Sequence, residues 1–269
     1  MQVESELTDH HIGWIFEATG KEMESLRTMR AAVPQSCFLL FAVLPSIIFS
    51  PRADAKTYRG VGTSPETSYV IYIPDKLNLK TRHPCMVGFD PGGDATAVLS
   101  HMSQACDDNG WILVASNNYH NGCTFEQTDL FIADTIASAI RTLAVDPTRI
   151  YVGGLSGGGQ VSHGFIQKHP ELIRGLVTNC GMINQDYLKE NGYPSGTGKA
   201  VVFLTNPGDF RYKEIAVDCR MLKGRGWTTS WMEFPGNHEW APPKYFSAAF
   251  KWLDKQAAPA NDQVVKKKP

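Results

Sequence analysis

Ser156 lies in the segment Gly154-Leu155-Ser156-Gly157-Gly158, which has the pattern G-x-S-x-G. A predicted strand at 149–152 precedes it, and a predicted helix beginning at Gly157 follows it. A sharp strand-to-helix turn of this kind exposes the serine hydroxyl, and the helix N-terminus offers unpaired N–H groups, including that of Gly157, to a developing oxyanion. The pattern predicts that Ser156 is a nucleophile for acyl transfer. The alternative is a glycine-rich turn with an incidental serine.

A serine hydroxyl becomes a good nucleophile only when a base takes its proton, so a histidine is required. For this type of turn the expected chain order is serine, then acid, then histidine. His163 and His169 follow Ser156 but lie on the predicted helix that leads away from it. His238 lies in a loop between the last predicted strand and the last predicted helix. We therefore expect His238 to be the base, the alternative being an ordinary loop histidine.

The acid that orients the histidine should lie at the end of a strand between the serine and the histidine. Asp209 lies in the loop that directly follows the apolar stretch at 200–205. It would accept a hydrogen bond from His238 and stabilise the imidazolium that forms. Asp186, which follows the preceding strand region, is the alternative acid, and Asp218 falls inside a predicted helix.

The second oxyanion donor is expected in the loop after the apolar strand at 85–89. Pro91 has no N–H group, so Gly92 or Gly93 must serve, and Gly92 is preferred.

Loops at strand ends supply the substrate contacts. Asn117, Asn118, Tyr119 and Trp240 are expected at the rim of the pocket, where aromatic and polar side chains suit a sugar or an aromatic acyl group. The same residues could equally be solvated loop contacts, because such loops vary freely.

Short apolar runs alternate with longer amphipathic stretches, which is typical of an α/β protein. The predicted strands are 68–73, 85–89, 111–115, 149–152, 175–178, 200–205 and 228–234, and the predicted helices are 95–108, 126–143, 157–169, 211–223 and 243–256. We expect a mostly parallel sheet flanked by helices on both faces, with the site at the carboxyl ends of its strands.

The stretch 29–55 has the pattern of a secretory signal peptide. Met29-Arg30 gives a short positive start, residues 37–49 form an uncharged apolar run, and Ala53-Asp54-Ala55 fits the small-x-small cleavage pattern. The run is too short to span a bilayer, so no stable membrane anchor is expected; a buried helix of the fold is the alternative.

This interpretation divides the chain and predicts a secreted or periplasmic protein. Residues 1–28 would be a non-native or misannotated extension, 29–55 the signal peptide, 56–258 the folded domain and 259–269 a flexible tail.

The 269 residues are 42% hydrophobic and 20% charged, with 26 Lys+Arg against 27 Asp+Glu. Such a balanced charge argues against nucleic acid as a partner. No cysteine–histidine cluster has zinc-site spacing, so no metal is expected. The pattern of cysteines indicates neither a disulfide pairing nor an oligomeric state.

Five segments together, at 90–94, 145–159, 169–171, 208–209 and 236–240, resemble those of α/β-hydrolase-fold serine esterases, and the resemblance covers about 69–252. The run at 145–159 resembles secreted esterases of the polyhydroxybutyrate depolymerase and feruloyl or acetylxylan esterase type, and also prolyl oligopeptidase-like hydrolases. One departure is Asp90-Pro91, where many relatives carry His-Gly.

The resemblance implies hydrolysis of a small-molecule or polymer-linked carboxylic ester through an acyl-enzyme, with no cofactor. Ser156 would attack, His238 would carry the proton, and Gly157 with Gly92 would bind the oxyanion. An exported peptidase would need an additional gating domain, for which the predicted mature chain has no space. A lipase would need an apolar lid, and the sequence has no segment of that kind. A non-catalytic binding protein on the same scaffold would be expected to lack a member of the triad.

Overall fold

An eight-stranded sheet lies at the centre of the structure, a computed structural model that describes residues 57–61 and 67–257. Its strands are β1 Thr57–Val61, β2 Ser68–Tyr72, β3 His83–Phe89, β4 Ile112–Ser116, β5 Val145–Leu155, β6 Gly175–Asn179, β7 Ala200–Thr205 and β8 Thr228–Glu233. The predicted extension, signal peptide and C-terminal tail lie outside the described residues.

The strand order is β1-β2-β4-β3-β5-β6-β7-β8. β1 and β2 pair antiparallel, as do β2 and β4, whereas every neighbouring pair from β4 to β8 is parallel. All residues of β4, β6 and β7 are buried, because helices cover both faces of the sheet.

Within the described residues, six helices flank the sheet. They are α1 Ala95–Asn109, α2 Phe125–Thr142, α3 Gly157–Lys168, α4 Gln185–Asn191, α5 Tyr212–Gly224 and α6 Pro243–Ala257. Ile132 of α2, Phe165 of α3 and Ile215 of α5 belong to one buried apolar cluster. Met102 of α1 and Phe250 of α6 belong to a second cluster, formed with alternate residues of the same strands. The predicted mostly parallel sheet with helices on both faces is confirmed.

Side-chain caps fix the N-termini of the two helices near the site. The Asp94 side chain accepts a hydrogen bond from Thr96 N at 2.7 Å and so caps α1. Thr124 and Gln127 form a reciprocal capping box at the start of α2. Both caps lie at the edge of the sheet where the parallel strands end, so they fix the loops that border the site.

Two elements were not among those predicted, the antiparallel strand β1 and the short helix α4. β5 begins at Val145 rather than at residue 149. Its pairing register with β3 breaks between His83 and Cys85, and the Asp146 carboxylate accepts hydrogen bonds from the N–H and hydroxyl of Thr148. The Asp146-Pro147 segment is therefore an irregularity within β5. None of the described helices combines the length and apolar character needed to cross a bilayer.

Candidate active site

Ser156 occupies the tight turn between β5 and α3. Its φ of 52° and ψ of −112° place it in a region that residues other than glycine rarely adopt. Its N–H donates to Asn179 O at 2.8 Å, which ties the turn to β6. A Cβ on Gly154 or Gly158 would collide with the Phe89 carbonyl oxygen. The glycines of the G-x-S-x-G pattern are thus required for the close passage of β5, α3 and β3.

Helix α3 has an unusual composition, with four glycines among its 12 residues: Gly157, Gly158, Gly159 and Gly164. Its N-terminus has no side-chain cap, so N–H groups of the first turn are open to a ligand. Gly157 lines the cavity above Ser156. This arrangement suits an oxyanion beside the serine.

A chain of two hydrogen bonds joins Ser156 to His238 and Asp209. His238 Nε2 lies 2.8 Å from Ser156 Oγ, and His238 Nδ1 lies 2.8 Å from Asp209 Oδ1. A carboxylate can only accept, so Nδ1 carries the proton and Nε2 accepts from the serine hydroxyl. The Asp209 side chain is fully shielded from solvent, whereas that of His238 is 22% exposed.

Asp209 is held in place at the end of β7. Its Oδ1 also accepts from Arg211 N at 2.8 Å, and its Oδ2 accepts from Thr205 Oγ1 at 3.3 Å. The alternative acid, Asp186, lies on α4 with an 89% exposed side chain and pairs with Lys189 at 3.1 Å. The structure therefore brings Asp209, not Asp186, beside His238.

The other histidines after Ser156 have separate partners. His163 Nδ1 is hydrogen-bonded to the Tyr193 hydroxyl at 2.6 Å, and burial lowers the pKa of His163 to about 3. His169 Nε2 is hydrogen-bonded to Asp129 at 2.8 Å. Both histidines take part in interactions of the helix layer rather than of the serine.

The expectation for the second oxyanion donor needs correction. Gly92 N donates to Asp90 Oδ2 at 2.7 Å, and Gly93 N donates to Asp90 O at 3.1 Å. Gly92 is not among the residues that line the cavity at Ser156. The Asp90 side chain thus forms a turn in which its carboxylate accepts the Gly92 N–H group, the group expected to face the substrate.

Of the four residues expected at the rim of the pocket, only Tyr119 lines that cavity. Asn117 is exposed, and its N–H donates to Ser68 O. Trp240 donates its indole N–H to Asp90 Oδ1 at 3.2 Å and stacks on His101, with the ring centroids 5.0 Å apart. Trp240 therefore connects the loop after β3 to the loop that carries His238, and does not contact the cavity.

The cavity above Ser156, here called the catalytic cavity, has a volume of about 380 Å³. The lining residues that sequence reasoning missed are His120, Asn121, Gly122, Cys123, Gln160, Cys180, Met182, Phe210 and Arg211. Two signals could have found some of them. Phe210 and Arg211 follow Asp209 directly, and Gln160 lies one helical turn beyond Ser156.

Cys180 lies beside the acid and the base. Its φ is 49°, and burial, together with the hydrogen bond and negative charge of Asp209, raises the pKa of its thiol. Cys180 Sγ, one carboxylate oxygen of Asp209 and one ring nitrogen of His238 lie within 4.8 Å of one another. In the described part of the chain this is the one grouping of three potential metal ligands, and two of its members are already hydrogen-bonded to each other.

The strand order, the serine turn after β5 and the following loops with Asp209 and His238 define the α/β-hydrolase fold. Solved structures with this fold match the chain. They include an esterase from the archaeon Pyrobaculum calidifontis (TM-score 0.57, 14% identity, 76% of this chain and 86% of that chain). An esterase from Rhizomucor miehei matches with a TM-score of 0.61 and 12% identity, over 80% of this chain and 85% of that chain. The carboxylesterase EstE1, cloned from a metagenomic library, matches with a TM-score of 0.57 and 13% identity, over 91% of this chain and 98% of that one.

Among curated proteins, feruloyl esterase B of Thermothelomyces thermophilus is 26% identical over 160 residues. The match covers 54% of this chain and about half the length of that protein, 54%. No profile of a known protein family matches the chain.

Proposed function

We propose that the protein is a serine hydrolase that cleaves carboxylic esters through an acyl-enzyme. The observation that carries the proposal is the hydrogen-bonded series Ser156, His238 and Asp209 at the carboxyl ends of the parallel strands. Its support from other proteins is that the solved structures named above and the curated relative are esterases.

In the first half-reaction Ser156 Oγ attacks the ester carbonyl carbon while its proton passes to His238 Nε2. The Asp209 carboxylate stabilises the imidazolium through the Nδ1–H hydrogen bond. The tetrahedral oxyanion receives a hydrogen bond from Gly157 N. The carbon–oxygen bond to the alcohol then breaks as Nε2 gives the proton to the departing oxygen, and a water molecule, activated by the same nitrogen, releases the acid.

A second donor for the oxyanion is available in the Tyr119 hydroxyl. A Cβ placed on Gly157 would collide with Asn121 Oδ1 and would meet Tyr119 Oη at 2.8 Å, so both polar groups lie close to Gly157. The Tyr119 hydroxyl now donates to Asn121 Oδ1 at 3.2 Å, a long bond that can be exchanged for one to an oxyanion. Tyr119 thus replaces Gly92 as the proposed second donor.

For the substrate we propose esters in which the acyl group is carried by a polysaccharide or a related sugar. The polar and aromatic residues of the catalytic cavity support this class, and the curated relative bears the name feruloyl esterase.

Labelling with a fluorophosphonate probe, followed by peptide mapping, tests the activated nucleophile. We expect one adduct, on Ser156, and none in the Ser156→Ala variant. Ser100→Ala removes an exposed hydroxyl on α1 and serves as the matched control, which should label normally. An unlabelled but folded wild-type protein would overturn the proposal and favour a binding function. Rapid turnover of peptides but not of esters would favour the peptidase.

We propose in addition that the protein is exported, because residues 29–55 have the pattern of a signal peptide. N-terminal sequencing of the protein secreted by its natural host should find Lys56 as the first residue. A mature protein that retains Met1 would contradict this.

A further inference from the structure

A second cavity adjoins the catalytic cavity. This distal cavity has a volume of about 340 Å³ and shares Tyr119, Cys123 and Gln160 with its neighbour. Val161 and Gly164 of α3 line it further along the helix. At a rise of about 1.5 Å per residue, Gly164 lies roughly 12 Å along the helix axis from Ser156. One face of α3 thus runs from the nucleophile into the distal cavity.

Aromatic rings and carboxylates form the far wall of the distal cavity. The rings of Phe125 and Tyr187 lie 4.1 Å apart between centroids. Asp186 and Glu190, four residues apart on α4, add two carboxylates, of which Asp186 is paired with Lys189. Ionised carboxylates only accept hydrogen bonds and repel anions. The wall therefore suits a ligand with an apolar body and a hydrogen-bond donor at its far end.

The opposite side of the catalytic cavity has a different character. The Phe210 side chain is 68% exposed, and its ring centroid lies 4.4 Å from that of His238. The Arg211 guanidinium carbon lies 5.2 Å from the centre of the Phe210 ring. The two residues form a shelf, here called the Phe210–Arg211 shelf, with an aromatic face and several hydrogen-bond donors. Such a surface suits a ring-shaped polyol, whose C–H groups pack on the ring while its hydroxyls bind the guanidinium.

Stereochemistry distinguishes the two sides. In the tetrahedral intermediate one bond of the reacting carbon goes to Ser156 Oγ, and its oxyanion points to Gly157 N. The departing oxygen must lie within hydrogen-bond reach of His238 Nε2, which gives it a proton. The alcohol therefore lies beside His238 and hence beside Phe210. The fourth bond, to the rest of the acyl group, is left for the side of Tyr119, Cys123 and Gln160, which opens into the distal cavity.

We propose that the ester binds in one orientation, with its acyl group in the distal cavity and a glycosyl alcohol on the Phe210–Arg211 shelf. The proposal rests on the proposed function. The acyl group is longer than acetyl and carries a hydroxyl rather than a carboxylate at its far end. Tyr187 and Glu190 then determine acyl specificity, and Phe210 and Arg211 determine alcohol specificity.

Two ratios of kcat/KM test the orientation. The acyl ratio compares the p-nitrophenyl esters of 3-(4-hydroxyphenyl)propanoate and acetate, which share an alcohol. The alcohol ratio compares an acetylated methyl glycoside with ethyl acetate, which share an acyl group. We expect Tyr187→Ala to lower the acyl ratio about tenfold and Phe210→Ala to lower the alcohol ratio about tenfold. Leu130→Ala, which alters a 57% exposed side chain of α2 outside both cavities, should change neither ratio.

A third variant tests the charge of the far wall. The preference is measured as kcat/KM for a hydroxyl-terminated acyl ester divided by kcat/KM for its carboxyl-terminated counterpart. Glu190→Gln should lower this ratio several-fold, because it removes one carboxylate that repels the carboxyl-terminated ester. Each outcome decides the matter. The orientation would be overturned if Tyr187→Ala lowered the alcohol ratio and Phe210→Ala the acyl ratio, or if each variant changed both ratios equally. Hydrolysis of the esters would still support the proposed function in that case. A folded wild-type protein that hydrolyses none of the esters would overturn the proposed function and the orientation together.

Discussion

At the residue scale, three side chains from distant parts of the chain form one hydrogen-bonded series. Ser156 and His238 are 82 residues apart, and His238 and Asp209 are 29 apart. The sequence predicts their identity because the serine turn is a local pattern and the order of the three residue types is fixed by the type of fold. It does not predict the 2.8 Å distances between them, which depend on the packing of β5, β7 and the loop after β8.

Replacing the acid should impair catalysis more than folding. In Asp209→Asn the amide no longer holds Nδ1 protonated, so His238 Nε2 is a poor acceptor for the serine proton. We expect kcat to fall about 10³–10⁴-fold, while the thermal unfolding midpoint changes little. Ester hydrolysis and circular dichroism measure the two effects, with Asp108→Asn on α1 as the control. A variant with near-normal kcat would contradict the role of Asp209.

Tyr119→Phe removes only the hydroxyl proposed as the second oxyanion donor. The ring can keep its edge-on contact with Phe89, at 5.9 Å between centroids. Loss of one such donor is expected to lower kcat about 10²-fold with a smaller change in KM, because the hydrogen bond forms fully only in the transition state. Steady-state kinetics measure this, with Tyr245→Phe on α6 as the matched control. An unchanged kcat would place the second donor elsewhere.

The prediction for Gly92 shows what residue types alone cannot decide. A glycine after the strand at 85–89 was expected to present its N–H group to the substrate. In the structure the preceding Asp90 side chain turns back and accepts that N–H at 2.7 Å, and its other oxygen accepts from Trp240. The Asp90 carboxylate is hydrogen-bonded to Trp240, 150 positions away along the chain, and in this orientation it takes up the N–H group of Gly92.

At the scale of elements, the predictions succeeded where apolar patterns are strong. The fully buried strand Ala200–Thr205 and the amphipathic helix Phe125–Thr142 were predicted to within a residue or two. The helix Gln185–Asn191 was missed because none of its residues is buried, so it has no apolar stripe to detect. Its start depends on Asn184, whose side chain accepts from the N–H groups of Asp186 and Tyr187.

One buried carboxyl links α5 to the segment before α4 and makes stability depend on pH. Asp218 Oδ2 accepts from Ile183 N at 2.8 Å, and burial raises the pKa of Asp218 to about 6. The folded protein then binds a proton that the unfolded chain, with an ordinary aspartate pKa near 3.9, has already lost. The stabilisation from this group is complete below about pH 4 and is lost as the pH rises through 6.

Urea unfolding at pH 5 and pH 8 tests this effect. Asp218→Asn keeps an oxygen acceptor for Ile183 but does not titrate, so its free energy of unfolding should fall less between the two pH values than that of the wild type. Titrations elsewhere are common to both proteins and cancel in the comparison. An equal fall in both proteins would contradict the raised pKa.

At the scale of the whole molecule, the sheet order is the part that local patterns predict least. β4 lies between β2 and β3, and β3 lies between β4 and β5, so chain order and spatial order differ at this end of the sheet. Right-handed crossovers predict that helices cover both faces but do not say which strands are neighbours. From β5 to β8 each strand pairs with the next, and there the expected alternation of strand and helix is sufficient.

The glycines of α3 link the proposed activity of the protein to its folded state. A glycine in a helix interior costs about 0.8–1.0 kcal/mol relative to alanine; α3 has Gly164 in its interior and three further glycines in its first turn. We therefore expect α3 to stay helical only while β3, β5 and β6 hold it, and the proposed activity to be lost when they separate. Urea midpoints from esterase activity and from tryptophan fluorescence should coincide; earlier loss of activity would show that α3 detaches first. If the two midpoints coincide, an activity assay measures the amount of folded protein directly, even in an unpurified extract.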